Sequence, residues 1–207
     1  MTEKKKFLKE TIRKVPESLP FAAIVLGTSA GGYAALDVLF RQIDRDFKLP
    51  IIIVQHLYPD SNDFLARNLN AVCSLNVVEA SEKEKIQAGN IYISPANYHL
   101  LIEANHTFSL SIDVKVNYSR PSIDVLFESA ADIYRDRLIG ILLTGANSDG
   151  AKGLKYIKTM GGTTIAQDPE SAEVPAMPLS AINLFTVDYI LPLEKIYPKL
   201  KFLSGKN

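Results

Sequence analysis

The chain has 207 residues, 47% of them hydrophobic, and its 23 basic residues balance its 23 acidic ones. This length and composition suit one globular domain and exclude a disordered chain. The charge balance provides no general attraction for nucleic acid or for an anionic membrane. Cys73 is the one cysteine, so no internal disulfide can form and a reducing cytoplasm is the expected compartment.

Residues 1–20 are predicted to be an N-terminal extension, and residues 21–207 a single domain. The extension is rich in Lys and Glu and ends in a segment with two prolines, Val15–Pro20. It has no apolar core of a signal peptide, and the longest apolar runs are far shorter than the roughly 20 residues of a membrane helix. We therefore expect a cytoplasmic protein with no membrane insertion and no nucleic-acid partner.

From Phe21 onward, short apolar runs alternate with helical patterns, as expected for strands buried on both faces. In chain order we predict a strand at 22–27, a helix to Phe40, a strand at 50–54, a helix from N-cap candidates Asp60–Asp63 to Leu69, a strand at 77–80, a loop at 114–121, a helix from Ser122 to Tyr134, a strand at 138–143, a helix at 150–160, a strand at 163–166, a helix at 176–184, a strand at 187–191 and a C-terminal helix.

The alternation of strands and helices predicts an α/β fold, a doubly wound and mostly parallel sheet with helices on both faces. Residues 81–113 differ, because they contain short segments separated by turns. These segments predict a small antiparallel or mixed β insertion at one edge of the sheet.

A serine flanked by glycines follows the first strand, in Gly27-Thr28-Ser29-Ala30-Gly31-Gly32. A Gly-x-Ser-x-Gly turn at the end of a strand exposes the hydroxyl, and its glycines accept backbone angles that other residues avoid. Ser29 is therefore a candidate nucleophile. The alternative is a phosphate-cradling loop at a helix N-terminus, although the full dinucleotide fingerprint is absent and Gln55-His56 stands where an acid would bind ribose.

Two more polar residues, His56 and Asp149, follow strands of the same predicted sheet. The carboxyl ends of parallel strands meet at one edge, where ligands bind. There His56 would accept the proton of Ser29, and Asp149 would orient the imidazole. The order Ser, His, Asp differs from that of α/β-hydrolases and predicts a different fold with a convergent triad. Asp124 and Asp168 are alternative acids.

Each of these residues also has a simpler structural explanation. A histidine at a strand end is often a hydrogen-bonded structural residue, and an aspartate before a helix is most simply an N-cap. Three such residues at equivalent strand ends favour the triad. His99 is predicted to be structural, His106 a solvated turn residue and Cys73 a small hydrophobe. The histidines and the cysteine lack the spacing of metal ligands, so we expect no metal and no cofactor.

Several segments resemble the catalytic domain of CheB-type protein-glutamate methylesterases. The similarity runs from about Phe21 to the C-terminal helix, which is nearly the whole chain. The segments that carry it are Gly27–Gly32, Gln55-His56, Arg120–Phe127, Leu143–Gly150, Ala166-Gln167-Asp168 and Ala176-Met177-Pro178.

This resemblance implies a serine hydrolase that removes methyl groups from glutamate γ-methyl esters of chemoreceptor helices and also deamidates receptor glutamines. It implies Ser29 as nucleophile, His56 as general base and then acid, and Asp149 as orienting acid. Backbone amides of Ala30 and Ala146 would form the oxyanion hole. The family often has Met where Ala146 stands, and a backbone donor survives that change.

Two alternatives to an esterase stay open at this stage: a phosphate- or nucleotide-binding module that uses the Gly-rich turn, and a catalytically silent docking domain. Full-length members of the family carry a regulatory receiver domain, and residues 1–20 are too few to fold as one. We therefore expect the site to be constitutively open, regulated in trans, or part of a larger polypeptide.

Overall fold

The computed structural model describes residues 21–57 and 63–205, which form alternating strands and helices. The strands are β1 (Ala23–Thr28), β2 (Ile51–Gln55), β3 (Asn76–Glu79), β4 (Asn90–Ile93), β5 (His99–Ile102), β6 (Phe108–Ser111), β7 (Leu138–Leu142), β8 (Thr163–Gln167) and β9 (Tyr189–Leu191). The helices are α1 (Gly32–Phe40), α2 (Phe64–Val72), α3 (Ile123–Tyr134), α4 (Ala151–Thr159), α5 (Ala176–Leu184) and α6 (Leu193–Leu203). The predicted extension, residues 1–20, and the N-cap candidates Asp60–Asn62 lie outside the described residues.

Seven strands form one parallel sheet in the order β3-β4-β2-β1-β7-β8-β9, and β5 pairs with β6 as a separate antiparallel hairpin. The prediction of a mostly parallel sheet with a small antiparallel element is confirmed. Successive side chains of a strand point to opposite faces, and both faces of β1 are apolar, so each face packs under helices. Ile24 and Leu26 belong to one core cluster, and Ala23 and Val25 to the other.

Helices α1, α2 and α6 pack on the first face, and α3, α4 and α5 pack on the second together with the β5–β6 hairpin. Full burial of both faces explains why the strands of the sheet centre read as continuous apolar runs. None of the helices in the described ranges is long and apolar enough to cross a membrane.

Some predicted boundaries differ from the structure. Asn90–Ile93, predicted within the edge insertion, instead pairs in parallel with β2 and β3 as strand β4 of the main sheet. The predicted strand at 187–191 begins only at Tyr189, because Asp188 uses its N–H and carboxylate to bind Thr164. The predicted loop at 114–121 contains a tight hairpin, in which Val116 and Ser119 form an antiparallel bridge.

The strand order reverses at β1, which pairs with β2 on one side and with β7 on the other. After β2 the chain forms β3 at the outer edge of the sheet, then β4 between β3 and β2, and it returns through α3 to place β7 on the other side of β1. A reversal of this kind leaves a crevice beyond the carboxyl ends of the strands. Ser29 and His56 directly follow β1 and β2, so both lie at this crevice.

Candidate active site

Ser29 is the first residue beyond β1 and is held by the loop that follows β7. Its N–H donates to Thr144 O at 3.0 Å, and the buried Thr28 hydroxyl donates to the same carbonyl at 2.9 Å. The chain then turns through Gly31, whose φ of 75° is in the left-handed region, into α1. The turn between β1 and α1 thus presents the hydroxyl at the edge of the sheet, as the Gly-x-Ser-x-Gly pattern predicts.

His56 is brought to Asp149 although the two residues lie far apart in the chain. His56 N–H extends the β1–β2 ladder by donating to Thr28 O at 3.1 Å. The ring contacts Asp149 through Nε2, which lies 2.8 Å from Asp149 Oδ2. The helix α4 is capped by Gly150 without a side-chain hydrogen bond, so Asp149 is not the N-cap that its position before a helix suggests.

Asp149 instead receives the N-terminus of α3, which belongs to another part of the chain. Its side chain is 0% exposed and accepts hydrogen bonds from Ser122 Oγ at 2.9 Å, Ile123 N at 2.7 Å and Asp124 N at 3.3 Å. Asn117 Nδ2 adds a fourth bond at 2.9 Å. The positive end of a helix favours a carboxylate in this position.

These donors determine the charge of Asp149. Burial by itself raises the pKa of the carboxyl group, but the hydrogen bonds from His56, Asn117 and Ile123 N outweigh it and hold the pKa below its ordinary value. Asp149 is therefore ionised at neutral pH, and His56 donates to it through Nε2. The other ring nitrogen, Nδ1, has no hydrogen-bond partner within residues 21–57 and 63–205 and is available to exchange a proton.

The nucleophile end of the site is an open cleft of about 420 Å³. Its lining consists of Ser29, Ala30, Gln55, His56 and Leu57, which come from the ends of β1 and β2. No described residue accepts a hydrogen bond from Ser29 Oγ, so the hydroxyl is available to a substrate. Ser29 and His56 therefore line the same open cleft.

Gln55 links the two cleft residues. Its Nε2 donates to Ser29 O at 2.8 Å and to His56 O at 3.2 Å, so one amide holds the backbone of both. Its Oε1 is buried and has no partner in the described part of the chain. A Cβ at Gly32 would lie 2.0 Å from this oxygen and 2.6 Å from Thr28 Oγ1. Gly32 is thus needed for the amide to fit beneath the turn.

The two predicted oxyanion donors are both exposed alanines in turns at the sheet edge. Ala30 lines the cleft and Ala146 does not, and neither backbone N–H is bonded within the described ranges. Thr144, two residues before Ala146, links the two turns, because its hydroxyl donates to Ala30 O at 2.9 Å. The same hydroxyl accepts from Val174 N at 2.9 Å, in the segment before α5. The role of Ala30 and Ala146 as oxyanion donors stays a prediction.

The alternative acids have other contacts. Asp124 accepts from Gly153 N at 2.7 Å and from Asn117 at 2.8 Å. Burial raises the pKa of Asp124, and the charge of Asp149 raises it further against the lowering effect of Gly153 N–H. Asp168 accepts from Glu170 N at the start of a short 3-10 helix. Neither carboxylate binds His56.

The other candidate residues lie away from the cleft. His99 is buried between Val114 O, 3.2 Å from Nε2, and Ser122 N, which donates to Nδ1 at 3.1 Å. His106 is exposed in a turn and its ring contacts Tyr134. Cys73 packs against the core, and burial raises the pKa of its thiol. Among the residues that the structure describes, no cluster of three or more His, Cys, Asp or Glu could hold a metal.

Sequence reasoning missed three residues that hold the site: Asn117, Ser122 and Gln55. Ser122 and Gln55 stand inside motifs that carried the family resemblance, and this resemblance could have pointed to them. Their contacts, however, depend on distant segments of the chain. Nothing in the sequence indicated a role for Asn117, because it lies in a stretch predicted only as a loop.

The model of the CheB methylesterase family matches residues 24–200. A Leptospira interrogans relative is 53% identical over 176 residues, 85% of this chain and 91% of the relative. A Thermotoga maritima relative, named protein-glutamate methylesterase/protein-glutamine glutaminase, is 38% identical over 180 residues. These residues cover 86% of this chain but 52% of that relative, so the chain spans about half its length.

The solved structures include the Thermotoga maritima CheB methylesterase catalytic domain, which matches with a TM-score of 0.86 and 38% identity. The match covers 88% of this chain and 98% of that one. The structural match agrees with the fold, and the family model, the relatives and the structure agree with one another. The chain belongs to the CheB methylesterase family.

Proposed function

We propose that this chain hydrolyses glutamate γ-methyl esters on methylated chemoreceptor helices, with Ser29, His56 and Asp149 as a catalytic triad. The observation that carries the proposal is the 2.8 Å contact between His56 Nε2 and the buried, ionised Asp149, at the edge of the sheet where Ser29 opens into the cleft. Membership of the CheB methylesterase family supports the same chemistry.

In the first half of the reaction, Ser29 Oγ attacks the ester carbonyl carbon and its proton passes to His56. The nitrogen that receives it is Nδ1, because Nε2 faces Asp149. In the Ser-His-Asp triad of serine proteases the two nitrogens have the opposite roles: Nε2 faces the serine and Nδ1 faces the aspartate. The negative charge that develops on the carbonyl oxygen is stabilised by the N–H groups of Ala30 and Ala146. His56 then protonates the leaving methoxide, and methanol departs.

In the second half, His56 removes a proton from water, which attacks the acyl ester on Ser29. The tetrahedral intermediate collapses, His56 returns the proton to Ser29 Oγ, and a free glutamate side chain leaves. A glutamine side chain enters the same route with ammonia as the leaving group, so deamidation of receptor glutamines is the second proposed activity.

The cytoplasm is the proposed compartment, in agreement with the single cysteine.

The test is methanol release from a methylated receptor helix by the wild type and by Ser29→Ala. We expect the variant to release none and to keep the unfolding temperature of the wild type, because Ser29 Oγ bonds no described residue. Ser74→Ala, an exposed serine in the turn before β3, is the matched control and keeps full activity. Unchanged methanol release by Ser29→Ala would overturn the proposal.

The family supports the esterase and neither alternative, but both alternatives can be tested directly. A fluorophosphonate probe forms a covalent bond only with an activated serine. Labelling that is lost in both Ser29→Ala and His56→Ala supports the esterase. If a nucleotide instead raises the unfolding temperature of the wild type and of His56→Ala equally, the chain is a phosphate-binding module. If the probe does not label the protein and no nucleotide stabilises it, the chain is a docking domain.

A further inference from the structure

Asn117 lies between the two buried carboxylates of the site, and we propose that it is a positioning residue for the His56–Asp149 pair. Its side-chain amide donates to Asp149 Oδ1 at 2.9 Å and to Asp124 Oδ2 at 2.8 Å. The two aspartates are 0% and 4% exposed. The inference rests on the proposed esterase, because it assigns one more residue to the same reaction.

The hydrogen bonds of Asp149 show what Asn117 contributes. A carboxylate has about four lone-pair sites. Oδ2 accepts from His56 and Ile123 N, and Oδ1 accepts its two short bonds from Ser122 and Asn117. Both oxygens are therefore saturated, which fixes the plane of the carboxylate toward His56. Loss of the amide would leave Oδ1 with one short bond and allow the group to turn.

Asn117 also bridges two groups of like charge, the carboxylates of Asp124 and Asp149. Two buried carboxylates that face each other raise one another's pKa, whereas a donor shared by both lowers it. His56 interacts electrostatically with Asp149, Glu128 on α3 interacts with both aspartates, and Lys152 on α4 interacts with Glu128. Lys152 is exposed. Gly153 N at 2.7 Å and the neutral amide of Asn117 at 2.8 Å compensate the second carboxylate, Asp124, and of these two donors the amide is the one that also bonds Asp149.

The turn that carries Asn117 supplies a competing explanation. Val116 and Ser119 exchange two backbone hydrogen bonds, of 3.1 and 2.9 Å, around Asn117 and Tyr118, whose φ values are 49° and 64°. Asn tolerates this left-handed conformation better than most residues do, so it could be present only for the turn. Glycine keeps the turn and removes the amide, which separates the two explanations.

The experiment compares methyl ester hydrolysis by the wild type, Asn117→Gly, Asn117→Asp and Asn105→Gly. Asn105 is the matched control, since its side chain is exposed and bonds only Thr107 within its own turn. We expect Asn117→Gly to lower kcat about 10- to 100-fold with little change in KM, as for a lost hydrogen bond to a charged group. Asn117→Asp puts a third carboxylate beside the pair and lowers kcat further.

The pH profile of kcat/KM provides the measurement that a turn residue would not change. Without the Asn117 amide, hydrogen bonds neutralise less of the charge of Asp149, which then holds the protonated ring of His56 more strongly. The acid limb, the low-pH side of the profile where the general base is lost, therefore moves to higher pH. The limb of Asn105→Gly stays where it is in the wild type. An acid limb that does not move in Asn117→Gly, or kcat in Asn117→Asp at or above that of Asn117→Gly, overturns the inference.

A measurement without substrate separates this inference from the proposed function. The proton between His56 Nε2 and Asp149 is expected to give a resolved NMR signal in histidine-labelled wild type and in Asn105→Gly, and to shift or disappear by exchange in Asn117→Gly. If the wild type releases no methanol while this signal depends on Asn117, the proposed function fails and the positioning role stands. If the signal is the same in all four proteins, the positioning role fails.

Discussion

The acid end and the nucleophile end of this site are built in opposite ways. Asp149 is fully buried, and its donors come from the start of α3, from the 116–119 hairpin and from His56. Ser29 stands in an open cleft at the ends of β1 and β2, and its backbone is held by Thr144 and Gln55.

The difference reflects two separate requirements of the proposed reaction. A charge that stabilises an imidazolium is most effective where its dipoles are already arranged and water is excluded. A hydroxyl that attacks a side chain on another protein must instead be reached from solvent. One end can therefore be rigid through hydrogen bonds to its side chain, whereas the other must be rigid through its backbone alone.

The largest expected effect comes from breaking the acid end with Asp149→Asn. The amide puts an NH₂ group among donors that include Ser122 and Ile123 N–H, so the ring of His56 loses its partner or its orientation. By analogy with the Ser-His-Asp template, kcat falls about 10⁴-fold. The measurement is methanol release by folded protein, checked by circular dichroism. A fall of less than about tenfold would mean that Asp149 does not orient His56 during the reaction.

The same variant also tests the charge of Asp149 through stability. The pKa of Asp149 lies below its ordinary value of 3.8 in the folded protein, so its ionisation stabilises the fold above pH 3.8 and this contribution is lost as the pH falls through the folded-state pKa. Urea unfolding should show Asp149→Asn less stable than the wild type by about 1–3 kcal/mol at neutral pH. This gap should narrow below pH 4, and a gap that widens there would contradict the assignment.

The second effect comes from the nucleophile end, where Gly32→Ala tests the backbone restraint. The new Cβ would lie 2.0 Å from Gln55 Oε1, so the amide that holds Ser29 and His56 must move. A displacement of about 1 Å can cost about 100-fold in kcat, and overpacking costs about 1–3 kcal/mol in stability. Both kcat and the free energy of unfolding are measured.

Gly140→Ala is the matched control for this substitution. A Cβ at Gly140 would meet Ile157 and Leu154 at 2.6 and 2.8 Å, in the core between β7 and α4. We expect a similar loss of stability and an unchanged kcat for the folded fraction. If both alanine variants lower kcat equally, the effect of Gly32→Ala reflects general strain, and Gln55 is not a specific restraint.

This contrast between the two ends also explains what could be predicted from the sequence. The strands at the centre of the sheet were predictable, because a continuous apolar run of five or six residues is typical of a strand that is buried on both faces. Ser29 and His56 were predictable because each directly follows such a run. β4 was predicted within the edge insertion and instead lies in the main sheet, since a four-residue strand between turns looks the same in a parallel sheet as in a hairpin.

The supporting residues could not be predicted, and the reason is physical. Asn117 reaches Asp149 from the tight hairpin at residues 116–119, whose sequence predicts only a loop, and no periodicity indicates such a contact. Gln55 could be seen next to His56, but the position of its amide under Gly32 depends on how the turn between β1 and α1 packs. Local patterns indicate which residues stand at the end of a strand, whereas the hydrogen bonds that orient them depend on long-range packing.

The smallest effect is expected away from both ends, at the ion pair of Lys158 and Asp188. The two side chains are 42% and 26% exposed, and Asp188 keeps its hydrogen bonds to Thr164 N and Oγ1 when the lysine is replaced. Lys158→Met should therefore lower the free energy of unfolding by about 0.2–1 kcal/mol and leave kcat unchanged. Urea unfolding at low salt and at 1 M salt, where the Debye length is about 3 Å, should show the difference shrinking. A loss above about 2 kcal/mol, or one that is independent of salt, would mean that this pair restrains α4, and that the rigidity of the acid end extends into the scaffold.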